Sequence, residues 1–416
     1  MSLQIIVHRG TQTIGGSCIE IIAPCGARLI LDAGRPLDAD RAATGLLPAT
    51  LDRTAPATVL FSHAHMDHWG LIDELPEHWP LMAGEKTAAL MRLTAGLFGA
   101  RLTRPIDSWT SRSAPFPVGP FTITPILTDH SAPDAYMLLI DGAGRRILYT
   151  GDFRLHGRKS ALVEAMIARP PTSIDVLIME GTNLGSDKPV MTERALERAF
   201  VKLARATPGH VFVNWSAQNI DRTVTLFRAA RRTGRRLVVD LYGADVLQQM
   251  GPGTALPVPG EDWPDLRVVI TPGGQRLYAR QGRRDWLDAM ARSGFATSRQ
   301  ALIGQSDIIM IRDSMLGDFA RAGLGFTPRD AFVFSNWRGY LDEGDTAGGW
   351  KQAGASGASV QHMHTSGHAS AMDLERFAQA MAPGALVPVH GVAWDEADIM
   401  LPLVHRLNDG ERWRVG

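Results

Sequence analysis

Cysteine is nearly absent: Cys18 and Cys25 are the only two in 416 residues. Two thiols cannot build a disulfide framework, and their strand-like surroundings predict buried groups rather than metal ligands, as in a reducing cytoplasm. Net charge is lacking too, with 43 basic against 43 acidic residues. No long-range field therefore draws nucleic acid, and any such binding has to come from a local patch. Long apolar runs are missing as well. At the N-terminus only Leu3–Val7 precedes His8 and Arg9, too short for a signal-peptide core, and no later run approaches a membrane span, so neither secretion nor a membrane location is expected. No internal repeat or low-complexity tract stands out. What is present is 45% hydrophobic residues over a length that suits two or three domains with sizeable cores.

Residues 62–70 read Ser-His-Ala-His-Met-Asp-His-Trp-Gly, which brings His63, His65, Asp67 and His68 close together in the chain. Imidazole nitrogens and carboxylate oxygens suit zinc or a similar divalent ion, and a segment this dense can serve two adjacent metals. Further candidate ligands fall where strands should end. His130 follows the β-rich run Phe121–Leu127, Asp152 follows Arg146–Tyr149, and His390 follows Ala385–Val389. A carboxylate such as that of Asp152 can bridge two ions with its two oxygens.

Residues 1–185 alternate short apolar runs with glycine turns. Gln4–Val7, Ser17–Ile22, Arg28–Asp32, Thr58–Phe61, Phe121–Leu127, Tyr136–Asp141, Arg146–Tyr149 and Asp175–Met179 read as strands. Glu85–Phe98 and Lys159–Ala168 read as helices, the second stopped by Pro170 and Pro171. From Thr192 the rhythm changes. Helices Thr192–Ala206, Ile220–Arg232 and Ala244–Met250 alternate with strands Val211–Asn214, Arg236–Asp240 and Arg267–Ile270, with further pairs up to Phe334. That alternation predicts a parallel sheet covered by helices. Glycine-rich Asp342–Ser359 is expected to be a return linker, followed by helices Asp373–Met381 and Glu396–Leu407 around the strand Ala385–Val389. An inserted domain explains why candidate ligands occur both at 130–152 and at 390.

The run His63-x-His65-x-Asp67-His68 resembles the signature of metallo-β-lactamase-fold hydrolases. Glu180 in Leu-Ile-Met-Glu-Gly-Thr-Asn, His368 in His-Thr-Ser-Gly-His-Ala and His390 in Pro-Val-His-Gly resemble the three further motifs of the β-CASP nucleases. Together with His-Ser-Ala-Pro-Asp at 130–134 and Ser-Gly-His-Ala-Ser-Ala-Met-Asp-Leu at 366–374, they look most like ribonuclease J. The resemblance covers nearly the whole chain. It implies an α/β fold: a metallo-β-lactamase αββα sandwich formed by 1–190 and 359–416, with a parallel α/β β-CASP domain inserted at 191–358. It also implies that His63, His65 and His130 hold one divalent ion, that Asp67, His68 and His390 hold a second, and that Asp152 bridges the two. Zinc is the first expectation and manganese the alternative. The implied activity is hydrolysis of RNA by metal-activated hydroxide, exo- or endonucleolytic, with Asp67, Asp152, Glu180 and His368 catalytic and single-stranded DNA as the alternative polymer.

Phosphodiester hydrolysis also needs a proton for the leaving oxygen and positive groups around the phosphate. His364 and His368 are the candidates beyond the metal shell, Ser366 offers a hydroxyl, and Glu180 can orient His368 as the proton donor. Ser216 lies where a strand meets a helix N-terminus, a place suited to a phosphate or to an ordinary cap. Arg228, Arg231, Arg232, Arg235 and Arg236 form one basic cluster, and Arg276, Arg280, Arg283 and Arg284 another; each can grip phosphates or form a solvated helix face. The chain departs from ribonuclease J in two places. Its last residue is Gly416, with no counterpart of the expected C-terminal domain, and Phe334-Ser335-Asn336-Trp337-Arg338-Gly339 replaces an expected glycine- and glutamine-rich stretch. Homodimer formation, RNA threading and exonuclease mode are left open by these departures. A hydrolase of a small ester, thioester or lactone is the competing reading, because this fold hosts many chemistries; the insertion counts against it. A scaffold with a dead site is the third, opposed by the complete ligand set.

Overall fold

Period-two alternation makes one side of each early strand apolar, and two such sheets bury those sides against each other. The computed structural model describes residues 2–40, 42–97, 102–186, 190–342, 347–396 and 398–416. It divides into two compact units: Met1–Arg92 with Arg101–Pro189 and Gly367–Gly416, and Leu93–Ala100 with Val190–Ser366.

The first unit is an αββα sandwich. Its seven-stranded sheet has the order Arg412–Arg414, Gln4–Arg9, Cys18–Ile22, Arg28–Leu31, Thr58–Phe61, Leu81–Gly84, Asp107–Trp109. Its six-stranded sheet has the order Ala385–Val389, Val176–Glu180, Arg145–Tyr149, Tyr136–Gly142, Phe121–Leu127, Phe116–Val118. Ile5, Val7, Ile19, Leu29, Leu31 and Leu60 from the first meet Ile123, Leu138, Ile140, Ile147, Ile178 and Val387 from the second in one buried core. On the other face of the six-stranded sheet, Met137, Leu148, Leu177 and Met179 pack against Val163, Met166, Leu374 and Phe377 of the helices Ser160–Ala168 and Ala371–Met381. Arg145–Tyr149, Val176–Glu180 and Ala385–Val389 run parallel in register, so Glu180 at its strand end and the loops carrying Asp152 and His390 lie at one end of the sheet.

The second unit is built on a wholly parallel sheet in the order Ala296–Thr297, Leu266–Val269, Leu237–Val239, Ile308–Met310, Val211–Asn214, Ala331–Phe334, Ser359–His362. Helices cover both faces of such a sheet, which is why Val211–Asn214, Ile308–Met310 and Ala331–Phe334 are buried at every position rather than alternately.

Three expectations are corrected. The stretch 342–359 is not a linker: Gly348–Ala355 is a helix, and Ser359–His362 is the last strand of the parallel sheet. The Asp313 carboxylate accepts the N–H groups of Gly348 and Gly349 at 2.8 and 3.0 Å, and a Cβ on Gly349 would lie 2.8 Å from the Phe332 ring. Those glycines serve close packing, and the chain returns to the first unit at Gly367; residues 343–346 lie outside the described set. Glu396–Leu407 is not helical among its described residues. Pro402 interrupts the pattern, and Leu386 pairs instead with the extended segment through Leu403 and His405, both bonds 2.7 Å. Cys25 is exposed, in the turn between Cys18–Ile22 and Arg28–Leu31, while Cys18 is buried. The helix expected over Glu85–Phe98 spans Glu85–Leu97, Phe98 lying outside the described residues. Among the described residues no helix is long and apolar enough to cross a membrane.

Candidate metal centre

The strand Thr58–Phe61 delivers His63 at its end, and the chain then turns into the short helix Met66–Trp69, with His65 at its N-cap and Asp67 and His68 within it. That helix is pinned from the neighbouring loop. Ser17 and Ala33 donate backbone N–H groups to the carbonyls of Asp67 and His68 at 3.0 and 2.8 Å. A Cβ on Gly34 would stand 1.7 Å from the Asp67 carbonyl oxygen, so only glycine fits there.

His63, His65, His130 and Asp152 bring one ligand atom each within 4.8 Å of one another, as do Asp67, His68, Asp152 and His390, and also Asp152, Glu180, His368 and His390. Asp152 belongs to all three groups. Its Oδ2 lies 3.6 Å from His63 Nε2, 3.2 Å from His68 Nε2 and 3.9 Å from His130 Nε2. His390 Nε2 is 3.3 Å from Asp67 Oδ2, and His130 Nε2 is 3.1 Å from His65 Nδ1. Ligand atoms placed about 2.1 Å from a tetrahedral ion are separated by about 3.4 Å, the spacing found here.

Hydrogen bonding supplies a second test of fit. Buried polar atoms are nearly always partnered, yet His63 Nε2, His68 Nε2 and both carboxylate oxygens of Asp152 are buried with no hydrogen-bond partner. His68 Nε2 approaches Asp152 without the alignment of a hydrogen bond. These orphaned atoms all point into the cluster, and nitrogen and carboxylate donors are what a divalent ion of the zinc type takes.

Titration behaviour follows from burial and crowding. Burial holds His63 and His130 well below the usual imidazole range and brings His65 down to about 4, leaving their lone pairs available near neutrality. Burial also disfavours charge on His68, but the carboxylates of Asp152, Asp32 and Asp67 outweigh it and raise its affinity for a proton. For Asp152 and Asp67 burial is outweighed the other way: His390 and His68 hold the first, and His68 and His390 the second, below the carboxylate range. His368 is lifted to about 9 against burial, chiefly by the Glu180 charge.

Residues behind the ligands orient them. Asp32 was not singled out in the sequence. It ends the strand Arg28–Leu31 with φ of 61°, and its carboxylate accepts His68 Nδ1, Tyr149 Oη, Ser62 Oγ and the Ser62 N–H, each at 2.7 Å. Its local signal is an acidic residue at a strand end, two positions before Gly34, where the left-handed conformation is tolerated. Glu180 accepts the Phe153 N–H at 2.9 Å with one oxygen and His368 Nδ1 at 2.9 Å with the other. Asn183 donates to the His368 carbonyl at 2.8 Å.

Ser216, His364 and Ser366 belong to the second unit. Ser216 is exposed and is not the helix cap; Asn219 is, accepting the Arg222 N–H at 3.0 Å. His364 Nδ1 donates to the Ser335 carbonyl at 3.2 Å. The first basic cluster is engaged internally: Arg228 and Arg232 pair with Glu197, Arg231 with Asp265 and Arg236 with Asp307, while Arg235 donates to the Ala204 and Gly209 carbonyls. Of the second, Arg283 pairs with buried Asp245, and Arg276, Arg280 and Arg284 are exposed.

Residues 28–239 match a family model described as a beta-lactamase superfamily domain, and residues 357–395 one described as a Zn-dependent metallo-hydrolase RNA specificity domain. Ribonuclease J of Sinorhizobium meliloti is 25% identical over 385 residues, 86% of this chain and 63% of that protein. Ribonuclease J of Mycobacterium tuberculosis is 25% identical over 346 residues, 80% of this chain and 58% of that one, and that of Helicobacter pylori 22% over 410, 94% and 56%. The chain thus spans less than two thirds of the length of each of these relatives. A solved structure titled as a protein of unknown function from Enterococcus faecalis V583 shares the fold, with a TM-score of 0.77 at 20% identity over 100% of both chains. Because the first model takes in more than half of the sequence, from Arg28 to Val239, the chain belongs to the metallo-β-lactamase superfamily, as a ribonuclease J-like member with a β-CASP insertion.

Proposed function

We propose that this chain is a metal-dependent phosphodiesterase that hydrolyses RNA in the cytoplasm. What supports the reading most is a coincidence of position: the stretch matching the RNA specificity domain contains His368 and His390, and both histidines stand beside Asp152, which also borders the His63–His68 motif.

In this reading His63, His65 and His130 hold one divalent ion, Asp67, His68 and His390 a second, and Asp152 serves both, with zinc before manganese. Such ions supply Lewis acidity, activating water for attack and polarising a phosphoryl oxygen. The chain's own proton donor is His368. Glu180 accepts from its Nδ1 and favours the charged ring, so Nε2 carries a hydrogen for the departing 3′-oxygen at neutral pH. Asn183 fixes the His368 backbone and so the direction of that transfer. Ser216, His364 and Ser366 are the phosphate contacts assigned to the second unit.

The test is purified protein with end-labelled 5′-monophosphate and 5′-triphosphate RNA, single-stranded DNA and a generic phosphodiester, each with zinc or manganese. Metal-dependent shortening of RNA is expected, and the product ladder separates exonucleolytic from internal cleavage. Hydrolysis of thioesters or lactones with intact RNA would refute the reading.

A further inference from the structure

Three of the clustered imidazoles have Nδ1 committed to a neighbouring acceptor. His130 Nδ1 faces the Gly367 carbonyl at 2.6 Å and His68 Nδ1 the Asp32 carboxylate at 2.7 Å. Those oxygens can only accept, so Nδ1 carries a hydrogen in each ring and Nε2 is the nitrogen turned to the cluster. His63 Nδ1 lies 3.0 Å from Ser62 Oγ, whose own hydrogen goes to Asp32 at 2.7 Å. That hydroxyl therefore accepts as well.

His390 is the ring for which the outcome is contested. Its Nε2 lies 3.3 Å from Asp67 Oδ2, an acceptor that draws a hydrogen onto Nε2, where it would block a metal bond. Its Nδ1 lies 2.8 Å from Thr182 Oγ1. The Thr182 hydroxyl has a single hydrogen, and the His390 carbonyl oxygen, which can only accept, stands 3.2 Å away to receive it. Oγ1 is then left with lone pairs towards Nδ1, which favours a hydrogen there. Among the described residues no other group takes this part: Asp152 Oδ1 is 3.8 Å from Nδ1, beyond hydrogen-bond reach, and His390 is only 2% exposed.

The backbone keeps the pair from drifting. His390 sits at φ of 51°, and the Gly181 N–H bonds its carbonyl at 3.2 Å. A Cβ on Gly391 would come within 2.7 Å of the Gly181 carbonyl oxygen, so the turn after Val176–Glu180 and the turn after Ala385–Val389 are locked together.

We propose that Thr182 is a positioning residue that sets the His390 tautomer, holding the hydrogen on Nδ1 so that Nε2 can bind a divalent ion. The inference rests on the metal-site reading above. Thr182→Val keeps the shape but leaves a buried Nδ1–H without an acceptor; Thr182→Ser keeps the oxygen.

Two measurements test it. In long-range 1H–15N spectra of the metal-free protein, Thr182→Val is expected to move His390 towards the Nε2–H form, with Thr182→Ser close to wild type. In competition with a chromophoric chelator, Thr182→Val is expected to bind zinc about 10–100-fold more weakly, and Thr182→Ser within a few-fold of wild type. If Thr182→Val does not fold, Thr182→Ala is read against the same two outcomes. Unchanged tautomer and unchanged zinc affinity overturn the proposal. Wild-type protein that binds no zinc, while the tautomer still shifts with Thr182→Val, would instead sink the metal-site reading and leave the positioning role standing.

Discussion

Asp152 brings two unpartnered buried oxygens close to four imidazoles from three separate parts of the chain, so its removal leaves every candidate ion short of a ligand. Asp152→Ala is expected to abolish RNA hydrolysis while far-UV circular dichroism stays native, because the hydrophobic core of the sandwich does not include it. Activity within about tenfold of wild type, a barrier change of only about 1.4 kcal/mol, would be incompatible with service to two ions. His368 predicts a different signature. His368→Ala should slow RNA turnover by roughly 10²–10⁴-fold with metal content intact, since proton donation contributes about that much. A phosphodiester with an activated leaving group should lose far less, and equal losses on both substrates would remove the acid assignment. The motif His63–His68 was legible because its residues are neighbours in the chain. Asp32 and Thr182 were not: the first meets His68 across 36 positions and the second meets His390 across 208, contacts that no local pattern encodes.

Three strands of the seven-stranded sheet are also joined by charge. Glu20 on Cys18–Ile22 accepts from His8 Nε2 on Gln4–Arg9 at 3.0 Å and pairs with Arg28 on Arg28–Leu31, while His8 Nδ1 meets Thr50 Oγ1 at 2.8 Å and Arg28 donates to the Ala55 carbonyl at 3.0 Å. Burial disfavours the Glu20 charge, but His8 and Arg28 outweigh it and hold the carboxyl below its ordinary value of 4.5. A depressed carboxyl stabilises the fold above its unfolded pKa and loses that contribution as pH falls through the folded one. The gap in urea midpoint between wild type and Glu20→Gln should therefore be widest at neutral pH and close below the carboxylate range; a constant gap down to pH about 3 would contradict the linkage. Elements with a strong internal pattern were legible, among them Thr58–Phe61, Phe121–Leu127, Val211–Asn214 and Ile220–Arg232, whose ends match the structure. Leu81–Gly84, Asp107–Trp109 and Phe116–Val118 were missed because they are three- or four-residue strands at or near sheet edges, where pairing with a neighbour rather than periodicity creates the strand.

At the scale of the molecule, the sequence disclosed an inserted parallel domain through its change of rhythm, yet placed the return too early, because glycines that pack against Phe332 look like linker glycines when only composition is read. The first unit is assembled from segments far apart in sequence, and the candidate ligands sample all of them: His63–His68, His130 and Asp152 before the insertion, His390 after it. Ions held there would tie the early and late segments together only in the folded state, since an unfolded chain has no preformed site. A ligand at about a hundredfold above its dissociation constant adds about 2.7 kcal/mol to stability. Chelation should accordingly lower the melting temperature and added zinc should restore it, with metal analysis giving two ions per chain in the restored protein. The Asp152→Ala variant should melt near the chelated wild type and respond weakly to zinc, because both groups that hold an ion have lost their shared ligand. If wild type melts at the same temperature with and without chelator, the cluster does not bind metal in solution, and the assignment of its histidines to ions would have to be abandoned along with the activity built on it.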